Sequence, residues 1–269
     1  MEKKLKAYTL FSSSRGNSTY ICYGKDSLLI DAGASLRGIE TGLGILGTSV
    51  SALGGILVSH EHSDHTKGLG AISKKHGVPI YTDPQCMEVI ATAAPEAAAL
   101  LVPTLAGDRV VIGDIAVTVY PTPHDSVRSF CYRIETPAGT LGYATDIGHI
   151  SDSVEDAVFG CDSVLIESNH DTALLKAGPY PQFLKKRISG SHGHLSNEAC
   201  ACLAPVLVRC GTRSITLAHL SETNNTPRLA AEESERRLKE YGIKLFGESY
   251  AGDVRLQVAP VNRIMEITL

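Results

Sequence analysis

The sequence predicts a mixed α/β (α+β) fold in which two mixed β-sheets pack face to face under flanking helices. Three observations point there. Short apolar or alternating runs that read as strands recur in both halves of the 269 residues, with helical patterns between them. Antiparallel hairpin signals stand among them, which argues against a purely doubly wound parallel sheet. No linker, low-complexity tract or short-period repeat divides the chain, so residues 1–269 read as one domain. Hydrophobic residues make up 43% and charged residues 20%, a balance that buries a core and excludes disorder, collagen and coiled coil.

In order, residues 5–10, 19–23 and 27–31 read as strands. Residues 34–46 read as a helix that internal glycines weaken. The apolar run 54–59 reads as a buried strand, followed by a helix over 66–76 that stops at Gly77. A strand at 78–82 and a helix at 84–93 come next. Strands follow at 109–112 and 114–120, turning at Gly113, and at 129–135 and 140–145, a hairpin around Pro137-Ala138-Gly139. The second half continues with strand 163–167, helix 195–208, strand 214–219, helix 227–241, and strands 243–246, 253–258 and 263–268.

Formal net charge is −4, so no global basic footprint for nucleic acid exists, although a metal site and a local basic cluster can still hold phosphate. No apolar run approaches the roughly 18 residues of a membrane span, and the N-terminus has no secretory apolar core. Seven scattered cysteines, an odd number without a CxxC pair, suit a reduced, cytoplasmic protein. Cys200 and Cys202 sit two apart in a helix and face different ways.

The most informative stretch is Val58-Ser59-His60-Glu61-His62-Ser63-Asp64-His65, directly after an apolar strand. Imidazole and carboxylate suit zinc, manganese and iron(II). On extended chain His60 and His62 share a face, whereas Asp64 and His65 begin the next helix and point to a neighbouring position. One short segment can thus serve two ions.

With Asp31 in Leu28-Leu-Ile-Asp31-Ala-Gly33, His124 in Pro121-Thr-Pro-His124-Asp125, Asp146 in Gly142-Tyr-Ala-Thr-Asp146 and His219 in Leu217-Ala-His219-Leu-Ser221, the chain resembles the metallo-β-lactamase superfamily along nearly its whole length. The motifs occur in the expected order, each at a strand end. The resemblance implies the αββα sandwich of that superfamily and two divalent ions, Zn2+ or Mn2+ with Fe2+ also acceptable. His60, His62 and His124 would bind one, Asp64, His65 and His219 the other, with Asp146 bridging. Asp31 would organise the loop rather than ligate. His76 reads as a helix-end residue, His149 and His170 as surface or supporting residues, and Asp125 as a supporting acid.

Glu167, ending an apolar strand, and His194, in Gly193-His194-Leu195-Ser196, are similar to the acid–imidazole pair of the phosphodiesterase branch, which includes tRNase Z. There the imidazole contacts phosphate and can protonate the departing oxygen. The catalytic set implied is Asp64, Asp146, Glu167 and His194, with His192 a weaker rival to His194. Ser196 or Asn197 caps the next helix. Lys185-Lys186-Arg187 reads as a solvated helix end or as a phosphate contact through Lys186. The hydroxyl-rich loop 11–18 reads as a polar turn or as an anion loop offering Arg15 and Asn17.

Within the superfamily, loop 11–18, the stretch from Glu167 to Ser196, and Ala218-His-Leu-Ser-Glu-Thr-Asn-Asn-Thr-Pro227 resemble the YycJ/WalJ-like subgroup, with Ser14-Arg15 departing from its usual loop. That likeness implies a 5′-to-3′ DNA exonuclease acting in repair or replication, with nucleic acid as partner, DNA ahead of RNA. No membrane association is expected, and the sequence names no protein partner. The alternatives are hydrolysis of a small phosphodiester or thioester, and a regulatory binding protein without turnover. There is no room for the inserted domain of β-CASP nucleases and no Gly/Pro-rich tRNA-binding arm.

Overall fold

The computed structural model describes residues 3–246, 252–261 and 263–269. The first sheet starts as an antiparallel meander, β1 (Leu5–Ser13), β2 (Gly16–Tyr23) and β3 (Asp26–Ile30). It continues in parallel through β4 (Ile56–Leu57), β5 (Ile80–Thr82) and β6 (Leu101–Pro103). The second sheet repeats that plan. β7 (Arg109–Ile112), β8 (Ile115–Pro121), β9 (Phe130–Thr136) and β10 (Gly139–Ala144) run antiparallel; β11 (Ser163–Glu167), β12 (Ser214–Ala218) and β13 (Arg255–Val258) add in parallel. The last strand, β14 (Met265–Ile267), returns to the first sheet and covers β1.

The expected layering holds. Ile21, Leu28, Val117, Ile134 and Leu165 belong to the core between the sheets, as sheets packed face to face require. The first sheet's outer face is covered by α1 (Leu36–Ile45), α3 (Leu69–His76) and α4 (Pro84–Ala93), which bury Ile39, Leu43, Ile72 and Ile90. The short α2 (Ser63–Thr66) precedes α3. The second sheet packs on α5 (Asp152–Val158), α8 (Asn197–Arg209) and α9 (Pro227–Glu240), through Val158, Leu207 and Leu238. Two short helices, α6 (Thr172–Ala177) and α7 (Gln182–Ile188), stand between β11 and α8. Among the described residues no helix is long and apolar enough to cross a membrane.

Several elements differ from expectation. The strand read at 54–59 pairs only over Ile56–Leu57, because the chain leaves the sheet to deliver Ser59 and His60. The helix read at 66–76 divides at Gly68, where a side chain would meet the Ala34 carbonyl at 2.4 Å. The strand read at 243–246 reduces to one bridge, Leu245 with Val254, since Asp253 closes a local loop onto Lys244 N at 2.8 Å. Helices α5, α6 and α7 and strand β6 were not expected; each spans seven residues or fewer, too few for a clear period. Ser196, not Asn197, caps α8, and its hydroxyl accepts from Ala199 N at 3.2 Å.

Candidate metal centre

The parallel strands of both sheets finish at one end of the sandwich, and the chemistry-bearing residues leave from there. Asp31 follows β3, His60 and His62 follow β4, His124 follows β8, Asp146 follows β10, Glu167 ends β11 and His219 follows β12. Asp31, Asp146 and His219 all hold left-handed backbone, φ 59°, 56° and 55°. They are the non-glycine residues with positive φ among those described, at a cost of about 1–3 kcal/mol each. Strain of that kind collected at three strand ends turns three side chains into one chamber.

Three imidazoles form the first group. Ring nitrogens of His60, His62 and His124 lie within 4.8 Å of one another. His60 Nε2 and His62 Nδ1 are 3.0 Å apart. His124 Nδ1 donates to the Gly193 carbonyl at 3.1 Å, which leaves Nε2 facing the chamber. Asp64, His65 and His219 form the second group. His65 Nδ1 donates to Asp31 Oδ2 at 2.8 Å, and its Nε2 lies 3.4 Å from Asp64 and 3.3 Å from Asp146. His219 Nδ1 donates to Glu167 Oε1 at 2.8 Å, with Nε2 3.5 Å from Asp146 Oδ1. Asp146 also stands 3.8 Å from His124 and so faces both groups.

His124 Nε2, His219 Nε2 and Asp146 Oδ2 are all buried and have no hydrogen-bond partner. An unmet buried polar atom costs about 1–3 kcal/mol. Three of them converging among imidazoles and carboxylates is the donor set that divalent cations satisfy, so the residues fit the group the motifs imply. Further oxygens and nitrogens orient these donors from behind, as metal sites require. Asp31, fully buried, also accepts from Ser59 N at 2.8 Å and Ser59 Oγ at 2.9 Å.

Glu167 is the second buried carboxylate. Its Oε2 accepts from Ile147 N at 2.9 Å and Leu195 N at 3.1 Å. Its Oε1 accepts from His219 Nδ1 and, at 2.8 Å, from His194 Nδ1. All four partners are therefore hydrogen-bond donors, which makes Glu167 an orienting group although it lies close enough to His194, His219 and Asp146 to look like a ligand. His194 keeps 18% side-chain exposure at the chamber rim, 3.7 Å from Asp146.

Burial works against charge throughout, and the neighbours decide the outcome. Burial would lower His65 and His219, but Asp146 with Asp31 lifts His65 well above the ordinary imidazole value. Asp146, Asp64 and Glu167 lift His219 to about 10. His194 is raised by Glu167 against the same burial. His60, fully buried beside His65, His124 and His62, is held well below the ordinary value, and burial lowers His124. Burial would raise Asp64, Asp146 and Glu167, yet the surrounding imidazoles hold all three carboxyls low.

The other sequence-predicted residues separate. Asn17 lies in the wall of the chamber, 2% exposed, its amide nitrogen donating to the Ser13 carbonyl at 3.0 Å and lying 3.1 Å from His65 Nε2. Arg15 projects from the β1–β2 turn toward Glu222 at 3.5 Å, 79% of its side chain exposed. Loop 11–18 is thus partly a support, since Ser12 Oγ also accepts from His219 N at 3.0 Å. Lys186 is exposed on α7, while Arg187 is held by Asp125, next to His124. His76 bonds Glu40 at 2.9 Å and His149 bonds the Ser191 carbonyl at 2.8 Å, and neither belongs to a ligand group. His192 lines a cavity of about 450 Å3 that opens beside His124, with Arg128 and Phe130.

Sequence reasoning missed the supports: Ser12, Ser59, Asn169, whose amide donates to the His219 carbonyl at 2.9 Å, and Glu61, which accepts from Val127 N at 3.0 Å and fastens the His60 loop to the loop after His124. Hydroxyl and amide residues next to ligand motifs were the signal available.

A family model described as Beta-lactamase superfamily domain matches residues 27–220. The chain is 34% identical to Exodeoxyribonuclease YycJ of Bacillus anthracis over 90% of its length and 91% of that protein. It is 35% identical to Exodeoxyribonuclease WalJ of Streptococcus pneumoniae, over 82% and 83% of the two chains. In fold it is similar to the metallo-beta-lactamase fold protein YhfI of Bacillus subtilis, with a TM-score of 0.70, 17% identity and coverage of 98% and 100%. With the ordered ligand motifs on a two-sheet sandwich and these likenesses over most of its length, the chain belongs to the β-lactamase superfamily.

Proposed function

We propose that residues 1–269 act as one dinuclear metal-dependent phosphodiesterase domain, a 5′-to-3′ DNA exonuclease. The observation that carries this reading is the Glu167–His194 hydrogen bond at the rim of a chamber of five imidazoles and two carboxylates. Acyl-group hydrolysis has no need of that extra imidazole, whereas phosphodiester cleavage gains from an acid at the departing oxygen. DNA is preferred because relatives sharing about a third of their residues with this chain are named exodeoxyribonucleases.

In this reading His60, His62 and His124 hold one ion, Asp64, His65 and His219 the other, and Asp146 both. The donor set suits zinc or manganese. When bound, the two ions supply Lewis acidity and a water of lowered pKa. Asp31 and Glu167 fix the tautomers of His65 and His219, so that Nε2 of each faces the chamber. Glu167 also holds the His194 Nδ1 proton, so that Nε2 can carry a second proton to phosphate or to the leaving oxygen. Arg15 and Lys186, both exposed near the rim elements, contact flanking phosphates, and Asn17 positions His65. Buried free thiols, with burial raising Cys161 to about 11 and Cys200 to about 12, suit a reducing cytoplasm.

The test is a cleavage assay with protein reconstituted with manganese or zinc, on DNA and RNA strands labelled at either end, with and without a 5′ phosphate. Stepwise release from the 5′ end of DNA is the expected result. No cleavage of any strand with both metal positions filled overturns the reading.

A further inference from the structure

A second cavity lies between α6 and α7, and none of its lining residues belongs to the ligand set. It encloses about 360 Å3 and is lined by His170, Leu175, Lys176, Lys185, Lys186 and Ser189. Its surroundings are locally basic in an acidic protein. Residues 172–197 contain Lys176, Lys185, Lys186 and Arg187 and no Asp or Glu, whereas the whole chain carries −4. Asp125 engages Arg187, and Lys185 Nζ donates to the Lys176 carbonyl at 2.7 Å. Among the described residues no ion pair engages Lys176 or Lys186.

His170 is the independent sign of a ligand. It lines the cavity, is 1% exposed, and its Nδ1 has no partner. Its backbone is pinned by a bridge to Ser196 and by Asn197 N, which donates to its carbonyl at 2.9 Å. Three acids act on His170: Glu167 is engaged by His194 and His219, Asp171 accepts from Leu174 N at 2.7 Å, and Glu198 accepts from the Thr172 hydroxyl at 2.6 Å. The walls are mixed: Leu175 and the aliphatic stems of the lysines are apolar, while the ammonium groups are not. A bare inorganic anion leaves that apolar wall unused; a flat base joined to phosphate uses both. Gln182, Lys185, Lys186 and Ser189, one stripe of α7, face this cavity, while Arg187 of the same helix reaches Asp125 beside His124. Helix α7 thus presents Arg187 on the His124 side and Lys186 on the cavity side.

We propose that this cavity is a second nucleotide-binding site, which holds one nucleotide of the substrate strand away from the scissile bond, with Lys176 and Lys186 on its phosphates and His170 against its base or sugar. It deepens the nuclease reading and rests on it. The experiment reads binding of a fluorescent single-stranded DNA oligonucleotide by anisotropy, in ion-loaded protein carrying His194→Ala so that cleavage does not intervene. Lys176→Glu with Lys186→Glu weakens binding about tenfold or more and lowers the slope of log affinity against log salt by about 1.4, the loss of two single-strand phosphate contacts. Lys74→Glu on α3, the same kind of charge change far from the cavity, leaves binding unchanged. His170→Gln, which keeps the lysines, weakens binding by a smaller factor at an unchanged salt slope. Unchanged binding in the lysine pair, or an equal loss in Lys74→Glu, overturns the proposal. A free deoxynucleoside 5′-monophosphate fails to displace the strand at equal phosphate concentration; full displacement means a site for released product and overturns the strand assignment. Loss of binding in the lysine pair while the unsubstituted protein cuts no strand keeps the cavity and removes the nuclease reading. Cleavage with binding unaltered in the lysine pair does the reverse.

Discussion

Asp31 and Glu167 do the same work on opposite sheets, one at the end of β3 and the other ending β11. Both are fully buried. Each accepts backbone and imidazole donors and thereby fixes a histidine, His65 for Asp31 and His219 for Glu167. The difference is that Glu167 takes a second imidazole, His194, on the same oxygen. The first-sheet carboxylate therefore serves the metal alone. The second-sheet carboxylate ties His219 of the metal cluster to His194, the imidazole that the proposed mechanism brings to phosphate. Both sheets thus supply the metal cluster, and the second alone couples it, through Glu167, to one further imidazole.

The strongest way to break this comparison is to remove a ligand that both sides depend on. Asp64→Ala should empty at least one metal position and abolish turnover; full occupancy by elemental analysis contradicts the ligand assignment. The carboxylates themselves sharpen it. Asp31→Asn should weaken metal binding about 10–100-fold and leave turnover near normal once metal is saturating. Glu167→Gln should lose comparable metal affinity and, in addition, remain about 100-fold or more slow at saturating metal, because His194 is no longer held. Equal behaviour of the two variants at saturating metal removes the distinction.

A smaller effect concerns pH and ion removal. His65, His194 and His219 have folded pKa values raised above the unfolded 6.5, His219 to about 10. Their contribution to the stability of ion-free protein is therefore complete below 6.5 and is lost as pH rises through the folded values. Asp64, Asp146 and Glu167 are lowered, so theirs is present above the unfolded carboxyl range and is lost as pH falls through the lowered values. Ion-free protein should melt at progressively lower temperature from pH 6.5 to 10, and metal-loaded protein should lose less over that range. Identical slopes for the two forms count against imidazolium–carboxylate pairing in the ion-free centre. The smallest effect is at the rim: Arg187→Ala breaks a half-exposed pair with Asp125 and should change stability by less than about 1 kcal/mol in thermal melts.

The same two sides differ in how much of them can be read from the sequence. On the first sheet four ligands occupy six consecutive positions, so spacing alone places them together. On the second, Asp146, Glu167 and His219 are single residues at the ends of separate strands, and only their order along the chain linked them. What escaped were contacts that exist only after the sheets pack. Asn17 read as an anion contact, yet the register of β1 and β2 brings its amide to His65. The shared oxygen of Glu167 depends on the left-handed turn at His219, for which the sequence has no glycine to signal it. Helices α6 and α7 escaped because each is too short to show an apolar stripe, and α7 buries none of its residues fully.

The central claim is that His194 acts on phosphate without holding metal. The direct measurement is metal content and DNA turnover on one preparation of His194→Ala. The account predicts two ions per chain and turnover reduced about 100- to 10,000-fold, the range for a lost general acid. Undiminished turnover with both ions bound, or the loss of an ion, contradicts it.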